Sequence, residues 1–279
     1  MKLKSYAKVN LSLNVVGKFK LKKHKIESIV SFLDFYDLIY LKPTSSNKHK
    51  VYFTGKFARG ITRKNTISKL LHILDQKKLL NNQKFEIKIN KNIPQKSGMG
   101  GGSMNAGSLI NYFYNNKIIK LKKKRLINLA NSIGSDVILG INPKNTILSS
   151  SGKLTKFKKK LGLHVLIAKP NFGCSTKFIY SKVRCYSKAK YNNPKQLLLS
   201  KKNIVNSSNA LEKIAFREYP KLMRIKLFLL KLSKVKFVRM SGSGSSILAY
   251  FYSKKATENA RKKFKKEFNN YWCITSKTI

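Results

Sequence analysis

The alternation of apolar and polar residues predicts a β-strand near the start of the chain. Over residues 6–16 one face carries Val9, Leu11, Leu13 and Val15, and the other carries Lys8, Asn10, Ser12 and Asn14. Because successive side chains of a strand point to opposite faces, this pattern is typical of a β-strand. A second strand region is predicted over 26–41, with a break near Asp34–Asp37.

The rest of the pattern mixes helices and strands. Helical spacing is predicted over 64–80, 103–114, 121–133, 176–183, 209–232 and 255–268. Strands are predicted over 85–89, 163–168, 236–240 and 270–276, and loops over 43–50 and 186–203. Since these elements follow no strict βαβ repeat, the order favours an α+β protein over a doubly wound sheet. A boundary near 150–160 gives two predicted domains, residues 1–155 and 156–279.

A glycine-rich loop joins the strand at 85–89 to the helix at 103–114. It consists of Pro94, Gln95, Lys96, Ser97, Gly98, Met99, Gly100, Gly101, Gly102 and Ser103. Four glycines in five positions remove Cβ atoms, so the backbone can approach an anion closely and adopt positive φ. The helix that follows begins with free N–H groups and the positive end of its dipole. The loop therefore predicts a phosphate-binding site.

The loop does not match two common nucleotide-binding motifs. A Walker A loop would end in Gly-Lys-Ser/Thr, and this sequence lacks that ending. A dinucleotide fingerprint would be followed by an acidic residue about 20 residues further on, and none is in place. The structural alternative for such a segment is a flexible glycine turn.

The charge of the chain leaves two interpretations open. Its 279 residues include 60 Lys and Arg against 10 Asp and Glu, a net charge of +50. Such a balance is typical of proteins that bind nucleic acid or an anionic membrane surface. However, only 8 of the 60 basic residues are arginine, and Lys, Asn and Ile all have A/T-rich codons. A drift in base composition therefore also explains the charge, particularly since the lysines are spread along the whole chain.

Cysteine and histidine positions predict no metal site. Cys174, Cys185 and Cys273 are far apart, and the four histidines show no metal-ligand spacing. No apolar run approaches the roughly 18 residues that span a membrane. We therefore expect a protein of the reducing cytoplasm, with no membrane partner and no obligatory nucleic acid.

Several motifs in a fixed order resemble the GHMP kinase superfamily over nearly the whole chain. The segments are Ala7-Lys8-Val9-Asn10 with Gly17, His24-x-Ile26-Glu27-Ser28, Ile93-Pro94 through Ser103, Gly134-Ser135-Asp136-Val137, Pro170-Asn171-Phe172-Gly173-x-Ser175-Thr176, and Met240 through Ser245. Each is modest alone, and their shared order and spacing carry the resemblance.

The resemblance implies a two-domain GHMP kinase fold of the α+β class. Its N-terminal domain would be similar to the second domain of ribosomal protein S5, and its C-terminal domain would be ferredoxin-like. The implied activity is an ATP-dependent, Mg²⁺-assisted phosphoryl transfer in the non-mevalonate isoprenoid pathway. The acceptor would be the 2-hydroxyl group of a methylerythritol unit linked to cytidyl diphosphate. Two alternatives remain: a homoserine- or mevalonate-type kinase of the same superfamily, and a basic nucleic-acid-binding protein.

The resemblance also implies roles for individual residues. Asp136 would be the general base, and Lys8 would offset the charge that develops on the phosphoryl oxygens. The implied substrate-binding residues are Asn10, His24, Thr176 and Tyr180, with His24 hydrogen-bonded to cytosine and Tyr180 stacked on it. The implied ATP-binding residues are Asn65 and the loop from Pro94 through Met104. For both Asp136 and Ser103, helix capping is the alternative role.

The chain departs from the usual pattern at a few positions. Lys22 and Lys23 replace a glycine and an aromatic residue before His24. A cation–π contact from Lys23 would then replace a stacking contact with cytosine, or the base would be held more weakly. Met104, Gly107 and Ala210 also stand where Ser, Ala and Asp are usual. These departures predict an effect on substrate affinity more than on the type of reaction.

Overall fold

The computed structural model describes residues 1–19 and 24–279. Its strands are β1 (Lys2–Lys18), β2 (His24–Thr44), β3 (Lys50–Thr54), β4 (Lys84–Asn90), β5 (Asn145–Leu148), β6 (Leu154–Phe157), β7 (His164–Lys169), β8 (Phe237–Met240), β9 (Ile247–Phe251) and β10 (Trp272–Lys277). Its helices are α1 (Thr66–Gln76), α2 (Gly101–Asn115), α3 (Lys123–Ile133), α4 (Val137–Gly140), α5 (Thr176–Ser181), α6 (Lys201–Val205), α7 (Glu212–Glu218), α8 (Pro220–Leu230) and α9 (Lys254–Glu267). The α+β class predicted from the sequence is confirmed.

The chain forms two compact units, each built from several stretches of sequence. The first unit consists of Met1–Ala7, Phe35–Gln95 and Gly100–Pro143. The second consists of Lys8–Asp34, Lys96–Met99 and Lys144–Ile279. The division of the sequence into domains 1–155 and 156–279 stays a prediction.

Helices α1 to α3 and strand β4 supply most of the core of the first unit. β4 pairs antiparallel with residues 38–44 of β2 and parallel with β3. α1 buries Ile67, Leu70, Leu71 and Leu74 in this core, at the spacing that the sequence shows. Asn65 begins this helix, because its side chain accepts hydrogen bonds from the N–H groups of Ile67 and Ser68.

The second unit contains an antiparallel sheet in the order β10-β7-β9-β8. Elsewhere in this unit, residues 28–30 of β2 pair with β5, which in turn pairs with β6. β9 lies between β7 and β8, and all five of its residues are buried. A strand buried on both faces shows a continuous apolar run rather than alternation, which is why the period-two pattern did not identify it.

Two predictions of the element pattern are wrong. The break near Asp34–Asp37 does not occur, because β2 continues through both residues: Asp34 is exposed, while Asp37 is buried and paired with Lys91. The single helix over 209–232 is divided into α7 and α8 at Tyr219. Pro220 is the first residue of α8, and the proline ring disfavours helical backbone angles at the residue before it, Tyr219.

The predicted loops and gaps also contain short elements. Residues 186–203, predicted as a loop, include a 3₁₀ helix at Gln196–Leu199 and the start of α6. The strands β3, β5 and β6 and the helix α4 were not predicted. These elements have between four and five residues, too few to show a clear period.

Candidate active site

In the first unit, the glycine loop ends at the start of α2. Gly100 is the N-cap residue, with φ 68° and ψ 17°, and no side chain caps the helix. Ser103 lies in the first turn of α2 and not at its cap. Because the first turn of a helix leaves N–H groups without intrahelical partners, this end of α2 suits an anion such as phosphate.

Asp136 lies beside the first turns of α2. A Cβ atom at Gly134 would be 3.9 Å from Ser103 Oγ, so the turn before Asp136 is close to the start of α2. Gly107 makes this packing possible, since a Cβ there would lie 2.5 Å from the carbonyl oxygen of Val137 and 2.7 Å from Gly140 Cα. The Asp136 side chain does not cap α4. Helix capping, the alternative role for Asp136, is therefore not its role at α4.

An ion pair lies beneath the glycine loop, and the sequence did not predict it. Lys91 Nζ bonds to Asp37 Oδ2, and the two side chains are 4% and 0% exposed. Asp37 Oδ1 also accepts the N–H groups of Asn92, at 2.7 Å, and of Ile93, at 2.8 Å. A Cβ at Gly101 would come within 3.2 Å of Lys91 Nζ, so this ammonium group lies against the start of α2. The pair thus fixes the chain just before Pro94.

In the second unit, the polar face of β1 is buried rather than solvated. Lys8 and Asn10 are each 5% exposed, and Ser12 is 0% exposed. Lys8 Nζ donates to Asn10 Oδ1 at 2.8 Å, Asn10 Nδ2 donates to Ser28 Oγ at 2.8 Å, and Ser28 Oγ donates to the Ser12 carbonyl at 2.6 Å. Buried polar groups are costly unless they are hydrogen-bonded, so this connected row fixes the orientation of Lys8 and Asn10.

Residues 96–99 of the loop lie against this row. Lys8 N donates to the Met99 carbonyl at 3.1 Å. Ser241 Oγ donates to the Gly98 carbonyl at 3.0 Å, and Asn10 N donates to Ser241 Oγ at 3.3 Å. Gly98 has φ +76°, and a Cβ there would lie 2.0 Å from the Ser241 carbonyl oxygen. Only glycine fits this approach, which gives a second reason for the glycine content of the loop.

Thr176 lies at the start of α5 and contacts the loop that contains Ser241 and Ser243. Its Oγ1 atom is 2.8 Å from Ser243 Oγ. Ser245 Oγ, from the same loop, donates to the Phe172 carbonyl at 2.8 Å. The motifs around 172–176 and 240–245, separate in sequence, are therefore neighbours in the structure.

The structure brings His24 and Tyr180 together, as the resemblance implied. Their ring centroids are 5.1 Å apart, with the planes at 42°. Burial, and then the positive charge of Lys18, lower the pKa of His24, which favours the neutral form of its ring. Within the described part of the chain, His24 Nε2 is buried and has no hydrogen-bond partner. Lys23, expected beside this base site, lies outside the described residues.

Sequence reasoning missed a further set of contacts that fixes the hydrogen-bonded row of Lys8, Asn10, Ser28 and Ser12. The Glu27 carboxylate accepts the N–H groups of Lys190, at 2.7 Å, and of Tyr191, at 3.0 Å. Tyr191 Oη lies 2.7 Å from Ser12 Oγ, and burial raises the pKa of Tyr191, so the phenol keeps its proton. Glu27 belongs to the Ile-Glu-Ser motif, which was the available signal, but nothing local points to a partner at residue 191.

The other predicted ATP-site residues have structural contacts of their own. Asn65 forms a capping box with Ser68, and its Nδ2 donates to the carbonyls of Thr62 and Arg63. Gln95 Nε2 donates to the carbonyls of Phe57 and Arg59, both at 2.9 Å. These contacts fix the loops of the first unit that contain Asn65 and Gln95. Pro94 and Ser97 are buried, Lys96 is exposed, and the Met104 side chain is 1% exposed in the core.

The predicted residues are thus grouped within each unit. The first unit brings together Gly100–Ser103 and Asp136. The second brings together Lys8, Asn10, Met99 and, through Ser241, Gly98, and it pairs His24 with Tyr180. Lys8 and Asp136 belong to different units, so their pairing stays a prediction.

Residues 1–19 and 24–279 lack two kinds of feature, a metal-binding cluster and a membrane-spanning helix. Those residues contain no group of three or more His, Cys, Asp or Glu side chains placed to hold a metal ion. They also contain no helix with the length and apolar character that a membrane span requires.

Comparisons with known proteins match both parts of the chain. The family model for the GHMP kinase N-terminal domain matches residues 65–151, and the model for the GHMP kinase C-terminal domain matches residues 195–270. The 4-diphosphocytidyl-2-C-methyl-D-erythritol kinase of Pelagibacter ubique is 58% identical over 278 residues, covering 100% of this chain and 99% of the relative. The enzyme of the same name from Clostridium tetani is 30% identical over the full length of both chains.

Solved structures show the same fold. A crystal structure of 4-(cytidine 5'-diphospho)-2C-methyl-D-erythritol kinase matches with a TM-score of 0.79 and 22% identity, over 99% of each chain. A homoserine kinase from Cytophaga hutchinsonii matches with a TM-score of 0.67 and 18% identity, over 99% of this chain and 96% of that one. The two-domain fold implied by the resemblance is confirmed, and the chain belongs to the GHMP kinase superfamily.

Proposed function

We propose that this protein is an ATP-dependent kinase that phosphorylates the 2-hydroxyl group of 4-diphosphocytidyl-2-C-methyl-D-erythritol. The observation that carries the proposal is the 58% identity to a relative of that name, over the whole length of both proteins. ATP is the co-substrate of this kinase family. The three cysteines are unpaired, which agrees with a reducing compartment such as the cytoplasm, where ATP is available.

We assign the phosphates of ATP to the start of α2. The N–H groups there have no side-chain cap, and the glycines let a phosphate approach the backbone. Mg²⁺ usually keeps several waters and binds through substrate phosphates and one or two protein ligands. The absence of a metal-binding cluster among the described residues fits that mode. Ser103, in the first turn of α2, is the residue that we assign to it, and the ion would neutralise charge on the phosphate oxygens.

Asp136 and Lys8 receive the catalytic roles. The tertiary hydroxyl must lose its proton as its oxygen bonds to the γ-phosphorus and the bond to ADP breaks. Asp136 would accept that proton, because the turn that carries it packs beside the start of α2, where we assign the phosphates, and its side chain does not cap α4. The Lys8 ammonium group, oriented by Asn10, would offset negative charge on the transferring group.

His24 and Tyr180 receive the cytosine. A neutral imidazole has one donor and one acceptor nitrogen. The edge of cytosine also offers both a donor, its amino group, and an acceptor, its ring nitrogen, so either could pair with the imidazole. The lowered pKa of His24 favours that neutral form, and its buried Nε2 has no partner among the described residues. The neighbouring Tyr180 ring offers a face for stacking. Asn10 and Thr176 would bind hydroxyl or phosphate groups of the same substrate.

An assay of ADP release tests the substrate. With Mg²⁺ and ATP, we expect turnover with 4-diphosphocytidyl-2-C-methyl-D-erythritol and none above background with mevalonate or homoserine. Product analysis by ³¹P NMR should show a new phosphate monoester on the 2-hydroxyl group. Clear turnover with mevalonate or homoserine, and none with the cytidyl substrate, would overturn the proposal.

Replacing Lys8 with alanine is expected to lower kcat by about 10²- to 10³-fold, the loss typical of one group that stabilises transition-state charge. The KM for ATP should change little, because the phosphates are assigned to α2. Steady-state kinetics give both constants. Lys42→Ala, at an exposed lysine of β2, is the matched control and should keep wild-type kcat. A Lys8→Ala enzyme with wild-type kcat would remove Lys8 from the mechanism.

Replacing His24 with alanine is expected to raise the KM for the cytidyl substrate by about tenfold, as expected for one lost hydrogen bond in a closed site. The kcat and the KM for ATP should remain close to wild type. His72→Ala, on the exposed side of α1, is the control. If His24→Ala instead lowered kcat alone, His24 would have a role in the chemical step and not in base recognition.

A further inference from the structure

A cavity of about 1030 Å³ lies in the second unit, and none of the residues assigned above lines it. It is formed mainly by α7, α8 and the segment 182–185, with Glu267 and Phe268 at one side. A cavity of this size accommodates a small organic ligand. Neither the sequence motifs nor the proposed kinase reaction assigns it a role.

The floor of this cavity is apolar. Val183, Phe216 and Phe268 are buried beneath it, at 4%, 7% and 8% exposure. Helix α8 buries Leu222, Ile225 and Leu229 on its inner face, and its outer face also carries apolar side chains. On that outer face, Met223 and Leu227 line the cavity and are 41% and 52% exposed. Exposed apolar side chains gathered at one site mark an interaction surface or a ligand-binding groove, and the concave shape here favours a groove.

The rim of this cavity is strongly basic. It carries Lys182, Arg184, Lys213, Arg217, Arg224 and Lys231, against the single carboxylate of Glu267. Glu267 is already paired with Arg224 at 3.2 Å, and Arg217 is paired with Glu218 at 2.9 Å. Within the described part of the chain, no acidic side chain lies within 4 Å of Arg184, Lys213 or Lys231. The rim therefore has unpaired positive charge beside an apolar floor.

The arginines distinguish this rim from the general excess of lysine. The chain has only 8 arginines among 60 basic residues, and three of the eight line this cavity. A drift in base composition that enriches lysine does not explain a local concentration of arginine. The planar guanidinium group binds phosphate through two parallel hydrogen bonds, which the lysine ammonium group does not do.

We propose that this cavity binds one molecule of a phosphate- or diphosphate-headed hydrocarbon, with the chain on the apolar floor and the head on the basic rim. Charge complementarity selects an anionic head, and the exposed Met223 and Leu227 select an apolar tail. The concave shape favours a single monomeric amphiphile over the flat surface of a membrane.

Equilibrium dialysis of the full chain with decyl phosphate, below its micelle concentration, tests the proposal. We expect saturable binding with one molecule per protein. Inorganic phosphate and decyl maltoside, which each lack one half of the ligand, should bind at least tenfold more weakly. Equal binding of inorganic phosphate or of decyl maltoside would overturn the proposal, since one half of the site would then suffice.

Two variants locate the binding in the cavity. Lys213→Gln/Arg217→Gln removes charge from the rim, and Leu227→Asp places a carboxylate on the floor. Each should weaken decyl phosphate binding by about tenfold or more, the loss expected for a charge-assisted contact or a buried apolar side chain. Arg125→Gln on α3 and Leu197→Asp, at an exposed leucine, are the matched controls and should bind as wild type.

The melting temperature and kinase turnover of every variant should match those of the wild type, which separates lost binding from lost folding. Unchanged binding in both cavity variants would overturn the assignment. Cosedimentation with vesicles that contain phosphatidylglycerol tests whether the site binds a membrane surface instead. If the protein cosediments with these vesicles but does not bind monomeric decyl phosphate, the site recognises a membrane surface and the proposal is wrong.

Discussion

Replacing Asp136 with asparagine is expected to lower kcat by about 10²- to 10⁴-fold, the range for loss of a positioned general base. Asparagine has nearly the same shape as aspartate but cannot accept the proton of the substrate hydroxyl group. The Asp136 side chain does not cap α4, so the substitution should leave the helix and the fold intact. The KM for ATP should change less than threefold, because the N–H groups of α2 remain in place. Steady-state assays of ADP release measure both constants.

The matched control for this substitution is Asp34→Asn, the same chemical change at an exposed aspartate of β2. It should keep wild-type kcat. Circular dichroism and thermal melting of both variants check that the fold is retained. If Asp136→Asn is folded and its kcat lies within threefold of wild type, Asp136 is not the general base.

Replacing Asp37 with asparagine is expected to lower the free energy of unfolding by about 3–5 kcal/mol, the usual cost of removing one partner of a buried ion pair. Asparagine keeps an oxygen that can accept the N–H groups of Asn92 and Ile93, but it leaves the Lys91 ammonium group without a counter-charge. Because Lys91 is 4% exposed, water cannot replace the lost carboxylate. Urea denaturation followed by circular dichroism measures the change.

The double variant Asp37→Asn/Lys91→Met distinguishes a lost charge pair from a packing defect. Removing both charges leaves no unpaired ion, so much of the stability should return. If the double variant is less stable than Asp37→Asn by the full cost of a second, independent substitution, the two side chains do not act as a pair.

We also expect Asp37→Asn to raise the KM for ATP, since the pair fixes the chain that leads into Pro94.

The sequence alone predicted a phosphate-binding role for the glycine loop, which stays a prediction. Four glycines around a helix start are a local signal, and the local geometry that they allow appears at Gly100, the N-cap residue of α2. The order of the motifs around Lys8, the loop and Asp136 was also sufficient to predict the superfamily. Helix α1 was predicted because its apolar spacing is clear over its whole length, and strand β7 because it is a short apolar run that ends before Pro170.

Features that depend on distant contacts escaped sequence reasoning. The charged residues Asp34 and Asp37 looked like a break in β2, because nothing local shows that Lys91, 54 positions away, would neutralise Asp37 inside the first unit. Likewise, Glu27 is 164 positions from the Tyr191 N–H group that it accepts. A proline, Pro220, divides the helix predicted over 209–232. The proline was visible in the sequence, but the helical apolar spacing on both sides of it decided the prediction.

What the sequence determined by itself is therefore the set of local requirements: where the backbone needs glycine, which face of β1 is polar, and which residues can accept a proton or hold a phosphate. The tertiary structure decided which of these groups meet. It buried the polar face of β1 and thereby oriented Lys8 through Asn10 and Ser28. It also placed Asp136 beside α2 through the close packing at Gly107. The physical reason is that burial and pairing are properties of two surfaces in contact, and a periodic pattern describes only one of them.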